Sequence, residues 1–331
     1  MSPVLLAKDL RAYYRVQAFG VTREVRAVDD ITLAVGRNEI YGIAGESSSG
    51  KSSLIKTLAR AIRPPLGVVG GSVSYDFGSG LQDLYAMSRE ALARIRWRHL
   101  SYIMQGSMSV LNPVRRVRKS FDDFARPHME GPRAAYRDRV EAHLAHLHLE
   151  PSVLDAFPHE LSGGMRQRVT IALATVCRPR LIIADEPTTA LDVIVQKDVL
   201  EMLRRVQQEM ASSMLFVTHD MAVHAHLTDR LGIIYAGRLV EEGATRDVFR
   251  APLHPYTAHL IGSLPRIGDS APKQGLAGRP PNLADPPPGC RFHPRCPLAM
   301  PVCREVSPPL ETLAPGHRVA CHAAEQMAGA R

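Results

Sequence analysis

The 331-residue sequence lacks any apolar run of the roughly 18 to 20 residues that cross a bilayer. Its longest apolar segments, residues 181–184 and 231–235, are no longer than single strands. The N-terminus also lacks the basic segment, apolar core and small-residue cleavage site of a secretory signal. From these absences we expect a protein that stays in the cytoplasm and contains no membrane span of its own.

Aromatic residues are scarce, at 5% of the chain, and they do not alternate with basic residues as in many nucleic-acid-binding surfaces. The net charge of +8 nevertheless suggests an anionic partner, which could be a nucleotide, a nucleic acid or a lipid surface. The densest basic run, Arg115–Lys119, is compatible with a solvated face and with a docking or lipid-facing role. The charge alone does not separate these partners.

Cysteine and proline are scarce until the end of the chain. Of five cysteines, Cys177 lies alone in an apolar helical stretch, and the other four fall in the last 42 residues. Fifteen of the 25 prolines fall in the final 81 residues, which argues against long helices there. We expect an irregular, separately organised tail, and a reducing compartment would favour metal ligation over disulfides among its thiols.

Strand and helix patterns alternate from residue 1 to about 262, which indicates an α/β core with a mainly parallel sheet. Residues from about 88 to 160 are richer in helix formers and predict a helical insertion. The clearest segments are strands at 39–44, 180–184 and 214–217 and helices at 52–62 and 193–210. No internal repeat is present, so each of these elements occurs once.

The segment Gly45–Ser52 reads GESSSGKS and matches the P-loop pattern, with the required strand before it and helix after it. Backbone N–H groups of such a loop wrap the β-phosphate, and the helix N-terminus adds partial positive charge. Lys51 is expected to reach the β- and γ-phosphates, and the Ser52 hydroxyl to ligate Mg²⁺. The sequence therefore predicts a site for ATP and Mg²⁺.

Two acids follow the apolar strand at 180–184, at the sheet edge where open α/β folds bind ligands. Asp185 is the expected Mg²⁺ partner. Glu186 is then placed to hold and polarise an attacking water, which the P-loop itself cannot do. Together with the P-loop, this pair predicts nucleotide hydrolysis as well as binding.

Four further motifs decide among P-loop families. The run from Leu161 to Arg168, LSGGMRQR, resembles the signature motif of ABC ATPases, and one helix and one strand separate it from Asp185. Pro187–Asp192 resembles the D-loop region, and His219 resembles the switch histidine. Gln105 is similar to the Q-loop glutamine. Their order along the chain is that of an ABC ATPase subunit.

Other segments resemble the dipeptide/oligopeptide/nickel branch of ABC importers. They are Ala27-Val28-Asp29-Asp30, Leu111-Asn112-Pro113, Pro158-His159-Glu160, the segment from Pro252 to Thr257, and the tail from Pro287 to Pro297. The sequence departs from the family pattern at Ser48, where Gly is usual, at Ser53, where Thr is common, and after Gln105, where Gly106 and Ser107 replace Asp-Pro. A serine at position 48 has an energetic cost if the loop needs a positive φ there.

The resemblance implies a P-loop NTPase fold of the ABC type, with a parallel sheet core, an antiparallel β subdomain and a helical subdomain. Residues 1–262 would form this domain, with the helical subdomain at about 88–160 plus the signature helix, and residues 263–331 a Pro- and Cys-rich C-terminal extension. The resemblance also implies roles for individual residues. Catalysis would use Glu186, His219, Gln105 and Lys51, and Mg²⁺ would bind Ser52, Gln105 and Asp185. Nucleotide would contact Tyr14, Gly45, Ser47, Ser48, Ser49, Gly50, Lys51, Ser52, Ser53, Gln105, Asp185, Ser162, Gly163 and Gly164.

Tyr14 resembles the aromatic residue that stacks on adenine, and Tyr13 is a close competitor. The resemblance further implies that Ser162–Gly164 face the γ-phosphate of ATP held by a second ATPase subunit, which is expected to be a different chain. Two integral-membrane permease subunits and an extracytoplasmic solute-binding protein would complete the assembly. The subunit would then lie peripherally at the cytoplasmic face of the inner membrane, with no nucleic-acid partner.

The tail cysteines follow a C-x5-C-x6-C-x17-C pattern, which is unlike the closely spaced pairs of zinc fingers and ribbons. Members of the resembled branch can carry a [4Fe–4S] cluster on this tail, and Cys290, Cys296, Cys303 and Cys321 would be its ligands. Zinc held with help from a histidine (His293, His317 or His322) and unligated thiols are the other two interpretations.

Two alternatives to an importer ATPase remain at this level. One is a soluble ABC protein that acts on DNA or ribosomes, although such proteins usually fuse two cassettes or insert long coiled coils, and this chain has neither. The other is an export ATPase, which the importer-like tail disfavours. The transported solute stays open among peptides, sugars and metals.

Overall fold

A computed structural model of the protein describes residues 2–18, 20–104, 106, 110–189, 191–264 and 275–329. The chain forms two compact units. The first contains the N-terminal residues to Val4, Val35–Glu39 and Tyr75–Phe216, and the second contains Leu5–Ala34, Ile40–Ser74 and the chain from Val217 onward.

The strands in chain order are β1 Leu5–Ala18, β2 Val21–Val35, β3 Ile40–Ala44, β4 Leu66–Asp76, β5 Leu81–Asp83, β6 Leu100–Ile103, β7 Leu181–Asp185, β8 Ser213–Val217, β9 Arg230–Tyr235, β10 Arg238–Ala244, β11 Glu311–Ala314 and β12 His317–Val319. The α-helices are α1 Lys51–Leu58, α2 Arg89–Ile95, α3 Val117–Phe124, α4 Arg133–His146, α5 Gly163–Thr175, α6 Val193–Met210, α7 Met221–Leu227, α8 Thr245–Arg250, α9 Pro255–Gly262, α10 Val302–Glu305 and α11 Ala324–Gly329. Among the described residues, no helix is both long enough and apolar enough to cross a bilayer.

The first unit has β8, β7 and β6 side by side in that order. β6 and β7 are parallel, with Leu100 opposite Leu181 and Ile103 opposite Ala184. All five residues of β7 are buried, which explains why this strand reads as a continuous apolar run. The range from about 88 to 160, predicted to be a helical insertion, therefore also contains a strand of this sheet, β6.

Helix α6 spans the residues that the apolar periodicity predicted. Its buried stripe consists of Val199, Met202, Leu203 and Val206, spaced three or four residues apart. Asp192 caps its N-terminus, because the carboxylate accepts a hydrogen bond from the amide of Val195 at 2.9 Å. The periodicity and the cap agree, and the helix begins at Val193.

The second unit contains β1, β2 and β4 in one sheet and β3, β9, β10, β12 and β11 in another. β3 is parallel to β9, and β9 turns back into β10 as an antiparallel partner. Helix α1 follows β3 but ends at Leu58, four residues earlier than predicted. Its carboxyl end turns at Arg60, whose φ is 49°, and the following Pro64 and Pro65 disfavour helix in the residues before them.

The C-terminal tail is short of regular structure, as predicted, but it is not separately organised. Strand β12 pairs antiparallel with β10, with Val319 opposite Glu241 and Arg318 opposite Glu242. Strand β11 in turn pairs with β12. The tail therefore extends the sheet that contains β3, within the same compact unit.

Two buried acids explain why the tail is drawn onto this sheet. Glu241 is fully buried and accepts hydrogen bonds from the amides of Leu253 and His254 at 2.7 and 2.9 Å, and from Nε2 of His317 at 2.8 Å. Glu242 is 1% exposed and pairs with Arg230 and Arg318. A buried carboxylate is tolerated only with such partners, and the tail supplies His317 to Glu241 and Arg318 to Glu242.

Candidate functional site

The P-loop lies between a strand and a helix, as the sequence predicted. All five residues of β3 are buried, the chain leaves it at Gly45, and α1 begins at Lys51. Gly50 is the residue before the helix and has a φ of 105°, a conformation that glycine adopts without penalty. The geometry of a phosphate-binding loop at a helix N-terminus is therefore present.

Packing explains both glycines of the loop. A Cβ at Gly45 would collide with the carbonyl of Ile234 in β9, and a Cβ at Gly50 would collide with the carbonyl of Ala27 in β2. The loop is also held by hydrogen bonds, because the amide of Gly237 donates to the carbonyl of Ser49 at 2.7 Å. The neighbouring strands of the second unit thus set the shape of the loop.

Ser48 has a φ of 64°, so the departure from the usual glycine does place an L-residue in the left-handed region. Ser47 and Ser48 are exposed, whereas Ser49 is 5% exposed and its amide donates to the carbonyl of Glu46 at 3.2 Å. The exposed serines leave their backbone accessible to an anion.

Lys51 is folded back over the loop. Its side-chain ammonium donates to the carbonyls of Gly45 at 2.7 Å and Glu46 at 2.8 Å, and the residue is 7% exposed. The cation therefore lies at the loop that would receive the phosphates. Ser52, the predicted Mg²⁺ ligand, follows it in the first turn of α1 and is half-buried.

The two tyrosines of β1 have different partners. The phenol of Tyr13 donates to Asp29, and its pKa is raised to about 12 by burial and by that carboxylate. The hydroxyl of Tyr14 lies 3.0 Å from that of Ser53, two residues after Lys51 in α1. Tyr14 is therefore the one of the pair that lies beside the P-loop helix, whereas Tyr13 is engaged with a structural carboxylate.

His219 lies in the bend after β8 and is exposed. The bend is shaped by Asp220, whose carboxylate caps α7 by accepting from the amide of Ala222 at 2.8 Å. The amide of Asp220 in turn donates to the hydroxyl of Thr218 at 3.2 Å. A strand end and a capped helix thus present His219 at the surface of the second unit.

In the first unit, β7 ends at Asp185, which is 2% exposed. The hydroxyl of Tyr102, on the parallel strand β6, donates to its Oδ2 at 3.3 Å. Burial and this carboxylate raise the pKa of Tyr102, so the phenol stays a donor. The hydrogen bond orients the carboxylate at the carboxyl end of the sheet.

Glu186 follows at a φ of 45°, a backbone conformation that glutamate rarely adopts. Thr189 stabilises the turn, because its hydroxyl donates to the Glu186 carboxylate at 2.9 Å and its amide to the Glu186 carbonyl at 3.2 Å. Backbone strain of this kind is concentrated at functional positions. The sharp turn redirects the carboxylate out of the strand direction while the residue stays half-buried.

The signature motif begins α5. Ser162 is its N-cap and accepts from the amide of Met165 at 3.3 Å, and Gly163 and Gly164 form the first turn. In the next turn Gln167, which is 2% exposed, donates to the carbonyl of Pro187, directly after Glu186. The signature helix and the strained acidic turn are therefore joined within the first unit.

A cavity of about 380 Å³ opens at this point of the first unit. It lies at the N-termini of α5 and α6, two helices of 13 and 18 residues, so both helix dipoles favour an anion there. Its lining consists of Ser162, Gly163, Gly164, Met165, Arg168, Leu191, Asp192 and Val195.

The predicted site residues divide between the units. The first holds Asp185, Glu186 and the signature residues, and the second holds Tyr14, Gly45 to Ser53 and His219. Gln105, predicted as the Q-loop glutamine and a Mg²⁺ ligand, lies outside the described residues, as does Ala190 of the D-loop region.

The four tail cysteines are free thiols in the second unit. Burial, together with the neighbouring thiols Cys290, Cys296 and Cys303, raises the pKa of Cys321 to about 12, so these three sulfurs lie within electrostatic reach of Cys321. Across the described residues, however, no three or more His, Cys, Asp or Glu side chains are arranged so that they could hold a metal ion.

Cationic residues of the tail form ion pairs that the sequence did not predict. Arg291 pairs with Asp29 in β2. Burial alone would raise the pKa of Asp29, but the hydrogen bond from Tyr13 and the charges of Arg291 and Arg238 lower it below its usual value. Arg295 pairs with Glu46 of the P-loop at 2.8 Å. The sequence does contain one sign that the tail must supply partners. Glu241 and Glu242 stand next to each other in a strand that is otherwise largely apolar, and buried acids require partners.

Comparison with known families gives two matches. Residues 28–189 match the ABC transporter family, and residues 240–303 match the family described as the oligopeptide/dipeptide transporter, C-terminal region. The first range contains the P-loop, the signature motif and the two acids after β7. The second contains three of the four tail cysteines together with Arg291 and Arg295.

Curated relatives match nearly the whole chain. The dipeptide transport ATP-binding protein DppD of Caldanaerobacter subterraneus subsp. tengcongensis is 38% identical, covering 98% of each chain. The oligopeptide transport ATP-binding protein AppF of Bacillus subtilis is 36% identical, covering 96% of this chain and 97% of that one. The oligopeptide transport ATP-binding protein OppD of Salmonella typhimurium is 40% identical, covering 96% and 93%.

Solved structures agree on the fold. The ATP-binding cassette MJ0796 bound to ADP and phosphate, solved as a dimer, superposes with a TM-score of 0.62 at 23% identity, covering 73% of this chain and 99% of that one. The protein cbiO1 of Clostridium perfringens gives 0.60 at 23% identity, covering 76% and 92%. The predicted ABC-type fold is thereby confirmed.

Proposed function

The chain belongs to the ATP-binding subunits of ABC transporters, in the group with the oligopeptide/dipeptide C-terminal region, and from that premise we propose that it powers the import of peptides or a related small solute. The reaction is the hydrolysis of ATP to ADP and phosphate, coupled to movement of solute through a membrane permease. The observation that carries the proposal is the P-loop from Gly45 to Ser52, formed with its strand and helix, in a chain whose tail matches that C-terminal region.

Each described residue of the site has a task that its position supports, and the task of Gln105 rests on the family resemblance. The loop amides and the α1 N-terminus bind the β-phosphate, and Lys51 carries its cation to the β- and γ-phosphates. Tyr14, beside α1, stacks on adenine. Ser52, Asp185 and Gln105 are the residues that would hold Mg²⁺, whose charge balances that of the phosphates. Glu186 accepts the proton of the attacking water, and His219 contacts the γ-phosphate.

The signature residues serve a second nucleotide. The cavity at the α5 and α6 N-termini suits an anion, and Ser162–Gly164 would face the γ-phosphate of ATP held by another ATPase subunit. ATP then draws the two subunits together through contacts that the separated state lacks. We propose that the second subunit is a different chain and that two permease subunits and a solute-binding protein complete the assembly.

The proposal places the subunit at the cytoplasmic face of the membrane, held there by the permease. It also keeps the division predicted from the sequence, with an ABC domain at 1–262 and an extension at 263–331, although β12 joins the sheet of that domain. The match of the tail to the peptide-transporter region favours this function over an ABC protein that acts on DNA or ribosomes.

The test is transport by the assembled complex. The chain is co-expressed with its partner ATPase and permease subunits, reconstituted in vesicles, and supplied with a solute-binding protein carrying a labelled peptide. ATP-dependent uptake and peptide-stimulated hydrolysis are expected. Lys51→Ala should abolish both, because it removes the ammonium group that contacts the β- and γ-phosphates. Failure to co-purify with integral-membrane proteins, together with hydrolysis stimulated by DNA or ribosomes, would establish the alternative.

The tail thiols support a finer proposal, a [4Fe–4S] cluster held by Cys290, Cys296, Cys303 and Cys321. What supports it is the donor set, four free thiols of which three lie within electrostatic reach of Cys321, and thiolates are the usual ligands of such a cluster. Anaerobic purification should give a brown protein with about four irons per chain. A colourless protein that contains zinc, or no metal, would contradict the cluster.

A further inference from the structure

Arg295 of the C-terminal tail grips the phosphate-binding loop. Its Nη1 and Nη2 donate to Oε2 and Oε1 of Glu46 at 2.8 and 3.0 Å, which is the parallel, two-bond geometry that makes arginine–carboxylate pairs strong. The Arg295 side chain is 6% exposed and that of Glu46 is 25% exposed, so the pair is largely shielded from water. Surface ion pairs contribute little, but this one is not at the surface.

The arginine is itself fixed in place. Its Nε donates to the carbonyl of Ala277 at 3.1 Å, and Nη1 also donates to the hydroxyl of Tyr235 at 3.3 Å. The guanidinium lies 5.9 Å from the centre of the Tyr235 ring, within the range of a cation–π contact. Phe292, three residues before it, packs edge-on against the same ring at 5.1 Å. An arginine that is held rigidly fixes the position of the carboxylate it binds, here that of Glu46.

Glu46 is the residue on which the contacts of the loop converge. Its amide donates to the hydroxyl of Tyr256 at 2.7 Å, and its carbonyl accepts from the Lys51 ammonium at 2.8 Å and from the Ser49 amide at 3.2 Å. Its carboxylate is the third anchor, held by Arg295. A shift of Glu46 therefore moves both the loop amides and the lysine that meet the phosphates.

Charge gives a second reason for the pair. Glu46 places a carboxylate inside a loop whose proposed ligand is a polyanion, and a like charge beside the ligand weakens binding. Arg295 neutralises that carboxylate from the side of the tail. Loss of the arginine alone should therefore be worse for nucleotide binding than loss of both charged groups together.

We propose that Arg295 is a positioning residue of the ATP site, through which the C-terminal tail orders the P-loop and screens the carboxylate of Glu46. The inference rests on the proposed ATP-binding function. It makes the tail a structural part of the nucleotide site, although no tail residue is assigned a contact with ATP.

The test uses the full-length chain with Arg295→Gln, Glu46→Gln and the double variant. Exposed Arg279, in the same tail, provides the control Arg279→Gln. Dissociation constants come from titration with a fluorescent ATP analogue, KM and kcat from the complex with its partner subunits, and stability from thermal unfolding. Arg295→Gln should weaken nucleotide binding about tenfold, within the range of couplings between protein sites, and should raise KM while kcat stays within about twofold.

The double variant separates positioning from general damage. Because Glu46→Gln removes the repulsive carboxylate as well as the pair, the double variant should bind nucleotide about as well as Glu46→Gln alone and better than Arg295→Gln alone. Arg279→Gln should match the wild type. Wild-type affinity in Arg295→Gln, or losses in the double variant that equal the product of the two single losses, would overturn the proposal.

A conservative variant covers the case in which Arg295→Gln does not fold. Arg295→Lys keeps the charge but cannot form two parallel bonds, so its nucleotide affinity should fall about fivefold, at the low end of such couplings. Unchanged affinity there would also overturn the positioning role. If the wild-type chain itself fails to bind the analogue, the proposed function is wrong and the Arg295 proposal falls with it.

Discussion

Two pairs of adjacent acids belong to buried strands of this protein, and their surroundings differ. Asp185 and Glu186 stand where β7 ends, and Glu186 turns out of the strand with a φ of 45°. Glu241 and Glu242 stand inside β10, fully buried and 1% exposed. One pair is delivered to the end of a strand, and the other is enclosed within the sheet.

The two pairs are held in different ways. His317 and Arg318 of the tail pair with Glu241 and Glu242, whereas the hydroxyls of Tyr102 and Thr189 donate to Asp185 and Glu186. Acids that the chain encloses in a sheet with partners from its own tail belong to the architecture. Acids oriented by hydroxyls at the carboxyl end of a parallel sheet are placed for a ligand.

The largest expected effect is the loss of ATP turnover when Glu186, in the pair at the end of β7, is changed. Glu186→Gln should lower ATP turnover about 10³-fold, because the amide cannot accept a proton from the attacking water, while nucleotide affinity and thermal stability stay at wild-type values. Phosphate release measures turnover and nucleotide titration measures affinity. Near-normal turnover in this variant would remove Glu186 as the base and would end the distinction between the two pairs.

The second effect concerns the enclosed pair. Glu242→Gln should lower the free energy of unfolding by about 3 kcal/mol, because it leaves Arg230 and Arg318 without their counter-charge around a buried site. Urea denaturation measures the loss, and the exposed Glu325→Gln should change it by no more than about 0.5 kcal/mol. Wild-type stability together with lost hydrolysis would reverse the assignment of the two pairs.

Acid should weaken the enclosed region through His254, whose amide donates to Glu241. Burial lowers the pKa of His254 to about 4, whereas an unfolded histidine titrates near 6.5, so the unfolded state binds more protons between these values. The neutral His254 therefore contributes stability above pH 6.5 that is lost as the pH falls, about 2 kcal/mol by pH 5.

The variant His254→Asn isolates this contribution. In the wild type, Nδ1 of His254 accepts the cap hydrogen bond from the amide of Tyr256 at 3.0 Å. The asparagine side chain can accept the same bond, but it does not titrate. Urea midpoints at pH 7, 6 and 5 should fall less steeply in this variant than in the wild type. The exposed His226→Asn is the control and should keep the wild-type slope. Parallel slopes in all three proteins would count against the buried neutral histidine.

The smallest expected effect concerns the backbone strain at Ser48. Ser48 shares a positive φ with Glu186, at 64° against 45°, but its side chain has no assigned catalytic task. Ser48→Gly should raise the free energy of unfolding by about 0.5 kcal/mol, because relief of the left-handed strain exceeds the entropy that glycine adds to the unfolded chain. Ser47→Gly, without a positive φ to relieve, should lower it by about the same amount. The same sign in both variants would contradict the strain.

The phosphate site could be predicted from local sequence because its determinants are local. The apolar run of β3, the GESSSGKS loop and the periodicity of α1 stand side by side in the chain, and the structure confirms the strand, the loop and the helix start. The stripe and the cap of α6 were equally readable. Even the strain at Ser48 followed from one substitution against a known pattern.

The contacts of the tail could not be predicted because their determinants are distant and non-periodic. His317 and Arg318 lie 76 residues from the acids they pair with, and Arg295 lies 249 residues from Glu46. Proline density in the tail indicated correctly that long helices are absent from its described part, but it carried no information about β12 or about which cation meets which acid. The early end of α1 was missed because Ile62 continues the apolar spacing beyond the point where the turn at Arg60 stops the helix.

The pairing of β12 with β10 has a consequence for biosynthesis. A ribosome that adds about 5 to 20 residues per second needs about 4 to 15 s to extend the chain across the 76 residues that separate Glu241 from His317. During that interval Glu241 lacks its partner His317, and Glu242 has Arg230 beside it but not Arg318. A product truncated before residue 317 lacks strand β12 and both of these partners, and it should therefore be a preferred substrate for cellular proteases.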